Sequence, residues 1–428
     1  MPRKPIICTL LLLLGGCLLF ADLIHSAPTA LASAEPDRLA GFDEPGDVCA
    51  TDAMVWRMAQ EQADGGLRSD IPPTRYVTDP HPEFNGVAVD PQNNLVMMSD
   101  QNRKSLLVYD RTAGSLTARE TTRPRQQIIG PQTGVGYVSG VAFDAGRREL
   151  YAINNDIEDR IVVFDYDDFG NARPKRFLYT PHQAWGIALN LERDELAVSV
   201  QQLGAIIVYK RGGARLDAPL RIIKGPQTGM ADVHGIYWDV KNKELGTASH
   251  GNYSIITPYG GYETDSAPEQ YKIGGHFQKP SLNIFSETAD GDVKSLRTIQ
   301  GDKTQLNWPM GISLDDTHNE IAVANNGDSS VLIFRRTDQG DVAPIRAIRG
   351  SRTGIAGPMG VAYDLKNDEL WVANYADHTA LVFARTANGN VAPKRIIRNA
   401  PQGAATGGFG NPYAAAYDPK REVILVPN

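Results

Sequence analysis

Residues 360–374 read Gly360-Val-Ala-Tyr-Asp364, then Leu-Lys-Asn-Asp, then Glu369-Leu-Trp-Val-Ala-Asn374. Two stretches rich in β-formers alternate in and out around a polar turn, the pattern of a hairpin with one buried face. Ala380-Leu-Val-Phe383 supplies a third strand and Asn388-Gly-Asn390 a tight turn whose residues accept positive φ. Pro393-Lys-Arg-Ile-Ile397 is the fourth strand, with proline at its start, where no ladder hydrogen bond is lost.

This four-strand unit recurs. Its opening phrase appears as Gly86–Asp90, Gly140–Asp144, Gly186–Asn190, Gly235–Asp239, Gly311–Asp315, Gly360–Asp364 and Ala414–Asp418. The spacings are 54, 46, 49, 76, 49 and 54 residues. A period near fifty made only of strands predicts radial β architecture. Six complete units run from Gly86 to about Asn411, followed by two more strands, Ala414–Tyr417 and Glu422–Val426. Thr74-Arg-Tyr-Val77 fits the outer-strand slot of a further unit, and Ala53-Met-Val-Trp-Arg57 is the segment available for its third strand. The expected fold is therefore an all-β single propeller over 73–428 with seven blades, the two ends sharing one closing blade. Six blades are the alternative.

Phrases such as Glu369–Asn374, Glu320-Ile-Ala-Val-Ala-Asn325 and Glu149-Leu-Tyr-Ala-Ile-Asn154 resemble NHL-type and YVTN-type propeller repeats. Pro309-Met-Gly311 and Pro358-Met-Gly360 before the inner strands are similar too. The resemblance covers about 350 residues and implies the fold. Those families hold binding scaffolds, surface-layer proteins, lyases and lactonases, so function must come from the site.

The formal charge of −7 argues against nucleic acid, which selects a basic face. Arg3 and Lys4, an apolar run from Ile6 to Phe20 and Ala32-Ser-Ala34 read as a secretory signal over 1–34. A lipoprotein site at Cys17 is the alternative. Residues 35–72 form an N-terminal extension. The protein is expected to be secreted or periplasmic, monomeric and without a stable membrane span. Cleavage would leave Cys49 as the sole cysteine, so burial and sheet hydrogen bonds must supply stability.

Arg176, Arg221, Arg297, Arg346 and Arg395 recur at one position of the fourth strands. Such a row invites a ligand reading, but charges on an outermost strand are expected to deter edge-to-edge pairing.

The loops entering the first strands and leaving the second strands share one face, the usual place for binding on a rigid scaffold. Trp185, His234, His250, Asn252, Asn325, Asn374 and Tyr413 fall there. Blade four carries an insert over 251–281, about 27 residues longer than its counterparts, with Tyr259, Tyr262 and several glycines. That mix suits a contact arm or lid. A protein or a small polar ligand is the expected partner, and no cofactor is required. His182, His234 and His250 offer a divalent-metal set on the same face. Asn85-Gly86 with Ser99-Asp100 is similar to gluconolactonase-type propellers, a resemblance that implies a divalent metal and lactone hydrolysis. Glu83 stands close to that family's glutamate but out of register. The leading expectation is a non-catalytic binding or scaffold protein; a metal-dependent hydrolase or lyase at the mouth is the alternative. No Gly-x-Ser-x-Gly elbow or phosphate-cradling loop occurs.

Overall fold

A computed structural model describes residues 81–114, 121–155, 158–201, 203–253, 276–401, 404, 416–418 and 423–425. The leader, the extension, Cys49, Thr74–Val77, Tyr259, Tyr262 and Tyr413 lie outside them.

Six four-stranded antiparallel sheets follow one another, each in the strand order one-two-three-four. The inner strands are Phe84–Asp90, Val138–Asp144, Ala184–Asn190, Val233–Asp239, Pro309–Asp315 and Pro358–Asp364. The chain is a β-propeller, and its described blades number six.

The recurring glycine explains how the ring closes. A Cβ on Gly86 would meet the Ser139 carbonyl oxygen at 2.7 Å, one on Gly140 the Trp185 oxygen at 2.6 Å, and one on Gly186 the His234 oxygen at 2.8 Å. The series continues from Gly235 to Met310, from Gly311 to Met359, and from Gly360 back to Asn85 at 2.6 Å. Each inner strand thus lies against its neighbour's backbone at a point where only hydrogen fits. The register shifts at or beside these glycines, so a bulge turns each strand toward the axis.

The seven-blade expectation is corrected by that last contact. Blade six seats directly on blade one, leaving no gap for a shared blade. Phe84, Met98 and Tyr109 of blade one pack with Trp371, Ala373 and Val382 of blade six in one buried cluster. At the rim, Thr122 N donates to Arg398 O over 2.7 Å. The end of the seventh phrase is strand, and among the described residues Ala416–Asp418 pairs with Val423–Leu425 in a separate two-stranded sheet.

Side chains stitch neighbouring blades at the turn side. The Asp that ends each repeat phrase caps its own turn, as Asp364 does by accepting from Asn367 N at 3.1 Å. A residue just after the third strand of the next blade then reaches back to it. Arg111 approaches Asp364 (3.4 Å), Tyr166 donates to Asp90 (2.7 Å), and Arg211 pairs with Asp144 (2.6 Å). Arg336 and Arg385 approach Asp239 and Asp315 in the same way. Where the phrase ends in Asn190, the partner is the acceptor Glu287, so the chemistry of the link is preserved with its polarity changed.

The row of arginines also needs correction. Arg176, Arg221, Arg297, Arg346 and Arg395 each clamp the glutamate that opens the second strand of the same blade, with two hydrogen bonds of 2.6 to 3.1 Å. These are bidentate pairs holding the fourth strand to the second, rather than free charges guarding an edge. Blade one has Leu95 and Gln126 at those positions and no such pair.

Candidate functional site at the ring mouth

The face opposite the capped turns gathers the loops that enter the inner strands and leave the second strands. The site is built on blade four and its two neighbours. Asp232 and His234 precede the Gly235 contact, and His250 follows the second strand of that blade. Asp232 has a positive φ of 53°, and its carboxylate lies near both rings, 3.8 Å from His234 Nδ1 and 3.3 Å from His250 Nδ1.

His234 is 2% exposed and enclosed by polar contacts. Asn155 donates to Gln201 Oε1 (2.7 Å), and the Gln201 amide nitrogen meets His234 Nε2 (2.7 Å). His234 Nδ1 faces the Asp232 carbonyl at 3.1 Å. This arrangement assigns the proton to Nδ1 of a neutral ring. Burial, and next the neighbouring His250, push its pKa down to about 3, against the pull of Asp232. His250 stacks on His234 at 3.7 Å between centroids and 16° between planes. Its Nδ1 lies 3.3 Å from Asp232 Oδ2, and its Nε2 faces Met310 Sδ at 3.0 Å. The Asp232 carboxyl titrates below its usual range: burial opposes ionisation, but the hydrogen bond to His250 and the two imidazoles outweigh it.

Trp185 and Trp308 extend the pair into a column of four rings. Trp185 meets His234 edge-on at 4.7 Å, and Trp308 stacks over His250 at 5.7 Å and 14°. Trp185 is buried, whereas Trp308 is 54% exposed. The column therefore runs from the channel wall to open solvent.

The other expected site residues divide. His182 is exposed and pairs with Asp159 at 2.9 Å, apart from the His234–His250 column. Asn325 and Asn374 are buried and hold their own loops. Asn325 accepts from Asn307 N (2.7 Å) and donates to Gln305 O (3.1 Å); Asn374 does the same with Ala356 N and Gly354 O. Asp100 holds the corresponding position in blade one, accepting from Glu83 N, Asn102 N, Arg103 N and Ser105 Oγ. Burial pushes its pKa up to about 6 despite those bonds. With its oxygens engaged in the loop, Asp100 does not offer the ligand that the gluconolactonase-type reading needs. Asn252 lies in a short ribbon at the base of the insert, where Asn252–Tyr253 pairs with His276–Phe277.

Asp232 and Trp308 escaped the sequence reading. Each sits at the last loop position before an inner strand or one residue earlier, and both have positive φ. The Trp308-Pro309 dipeptide was the legible signal, a bulky aromatic at a loop end.

Asp232, His234 and His250 bring one ligand atom each within 4.8 Å of one another. The donor types suit zinc, which binds imidazole nitrogen in the ring plane at about 2.0–2.1 Å. Two parallel rings 3.7 Å apart cannot both direct an in-plane nitrogen at one ion. The arrangement therefore does not fit a shared metal unless the rings separate.

No family model matches the chain, and no curated protein matches it in sequence. Among solved structures it is similar to hydrazine synthase of Kuenenia stuttgartiensis at 14% identity and a TM-score of 0.48, over 76% of this chain and 100% of that one. It is also similar to the WD40 β-propeller domain of Doa1 (11%, 0.46, 82% and 91%). A nidogen/laminin complex follows at 14% and 0.44, over 74% and 96%. At these identities the function rests on this chain's own residues.

Proposed function

We propose that this protein is an exported binding module that receives a polar ligand or a protein partner at the mouth of its ring. The observation that carries the reading is Trp308. An indole is held half in solvent at φ 50°, a conformation that disfavours bulky side chains. The residues just before or at the corresponding point of other blades with positive φ are Gln183, Asp232 and Gly357, types that tolerate it better. Backbone strain kept at an exposed aromatic, backed by a packed ring column, is a feature of binding sites rather than of folding. The leader over 1–34 supports export, the strand phrases support kinship with NHL and YVTN repeats, and the Tyr- and Gly-rich insert of blade four supports a docking role. Among the described residues no helix is long and apolar enough to cross a membrane.

Trp308→Gly separates binding from stability. Removing the strain, about 1 kcal/mol or more, offsets the lost ring contact, so the melting temperature is expected to hold or rise. Capture of partners from the exported protein fraction is expected to fall at least about tenfold, as for a central aromatic anchor. Equal capture by the variant and the native protein would sink this reading.

The alternative, a metal-dependent hydrolase or lyase, stands on the Asp232–His234–His250 group. With the rings stacked, purified protein is expected to show no stoichiometric transition metal by emission spectroscopy. Stoichiometric metal that disappears in a His234→Ala, His250→Ala double variant would reverse the order of the two readings.

A further inference from the structure

The central channel beneath the mouth is lined by all six inner strands and encloses about 70 Å³. That is room for a group of a few heavy atoms. Its wall mixes polar and apolar surface, with Val87, Val141, Ile187, Ile236, Ile312 and Val361 among the lining residues beside the glycines. Asn85 stands out in that wall. It is 1% exposed, and neither its amide oxygen nor its amide nitrogen has a hydrogen-bond partner among the described residues. The nearby Ser139 hydroxyl is used, donating to Trp185 O at 2.7 Å.

Buried amide groups are nearly always paired, because leaving them unmade forfeits their hydration without return. The Asn85 amide therefore brings one donor and one acceptor to the channel wall. Exchanging the oxygen and nitrogen of Asn85 leaves that inventory unchanged. The complement is a group with a carbonyl oxygen, which has two lone pairs, and an N–H. An anion is disfavoured, since among the described residues no Lys, Arg or His lines the channel. An ammonium ion is disfavoured because it would leave the Asn85 amide donor unmet. The valine and isoleucine residues of the lining suit a methyl or methylene beside the polar group.

We propose that Asn85 is the floor of a second, separate seat in the channel, one that takes a neutral amide carrying a small apolar substituent, such as a peptide unit or an acetylated amine. Asn85 pairs with that amide through both of its own amide atoms, and the substituent lies against the valine and isoleucine residues of the lining. This seat does not depend on the Trp308 column.

Ligand-observed saturation-transfer NMR with acetamide, acetate and methylammonium tests the assignment. Acetamide is expected to give a saturable signal at least about tenfold stronger than the two ions, the discrimination of about one hydrogen-bonded pair. Asn85→Leu is expected to abolish it, and Asn85→Asp to transfer the preference to methylammonium. Trp308→Gly is expected to bind acetamide as the native protein does, which separates a failure here from a failure of the mouth-site reading. Should Asn85→Leu not fold, the three-probe comparison and Asn85→Asp still decide. Equal signals from all probes, no signal at all (water alone in the channel), or acetamide binding that survives both Asn85 variants would overturn the proposal.

Discussion

Gly235→Val is expected to prevent a stable ring from forming. A Cβ there would sit 2.4 Å from the Met310 carbonyl oxygen, 2.7 Å from Ile312 N and 2.9 Å from the Gly311 carbonyl carbon. All three atoms are backbone of the next blade, so no side chain can rotate aside. Overpacking a core costs roughly 1–3 kcal/mol when side chains can yield. Here two bulged strands must separate, and the expected loss exceeds about 4 kcal/mol. For a domain of this size that lowers the melting temperature by about 10 °C or yields insoluble protein. Gly146→Ala is the control, because its Cβ would meet only Asp144 Oδ1, at 3.5 Å. Circular-dichroism melts of the two variants within a few degrees of each other would refute the close-approach account.

The second large effect is acid lability. Burial works against ionisation of Glu369, but hydrogen bonds from Arg395 and Lys394 prevail and hold its pKa at about 2, against an ordinary 4.5. Glu149 is held at about 2 in the same way, with Arg176 and Tyr151 outweighing burial. A carboxyl with a depressed folded pKa binds fewer protons when folded than when unfolded. Its contribution is therefore complete above about pH 4.5 and is lost as pH falls toward 2. Each pair contributes on the order of 1–3 kcal/mol once solvent screening is allowed for, so urea midpoints should drop across that window. Glu369→Gln should cost about 3 kcal/mol at neutral pH, since Arg395 then keeps a charge without its carboxylate. The same variant should show a flatter midpoint between pH 4.5 and 2 than the native protein. An unchanged slope would mean that the clamp does not carry the pH dependence.

Much of this fold was legible. The strand over Glu369–Asn374 begins and ends where its phrase does, and Gly389 takes the positive φ that the Asn-Gly-Asn turn called for. The periodicity of two and the turn chemistry are local, so sequence displays them. The number of blades is not local. It depends on whether Asn85 O receives Gly360, a contact between residues 275 positions apart. One residue did carry a warning. The seventh phrase opens with Ala414, a methyl at the position where every seated inner strand has only hydrogen.

The site was legible in part. His234 and His250 were identifiable because loop positions on one face follow from strand order, and the structure stacks them. His182 was grouped with them on sequence spacing from Gly186, but its loop carries it outward to Asp159. The strand-ending Asn325 and Asn374 looked like ligand groups because Asn on a loop face has that composition. Their amides instead satisfy loop backbone, a use that depends on the fold of the preceding loop. Asp232 and Trp308 depend on a single backbone angle each, which no periodicity reports.

Every described blade is one uninterrupted stretch of chain, from Phe84–Ile129 to Pro358–Arg398, and the seam falls between blades rather than through one. In genetic terms the blade is a transferable module. Copying or excising a segment of about fifty residues inserts or removes a whole sheet together with its Glu–Arg clamp and its reach-back residue, without dividing any hydrogen-bonded ladder. Ring size in such an architecture can change by unit steps. The joint that must adapt each time centres on two contacts: one glycine on a neighbour's carbonyl, and one side chain after the third strand, most often an arginine, on the residue that ends a neighbour's phrase.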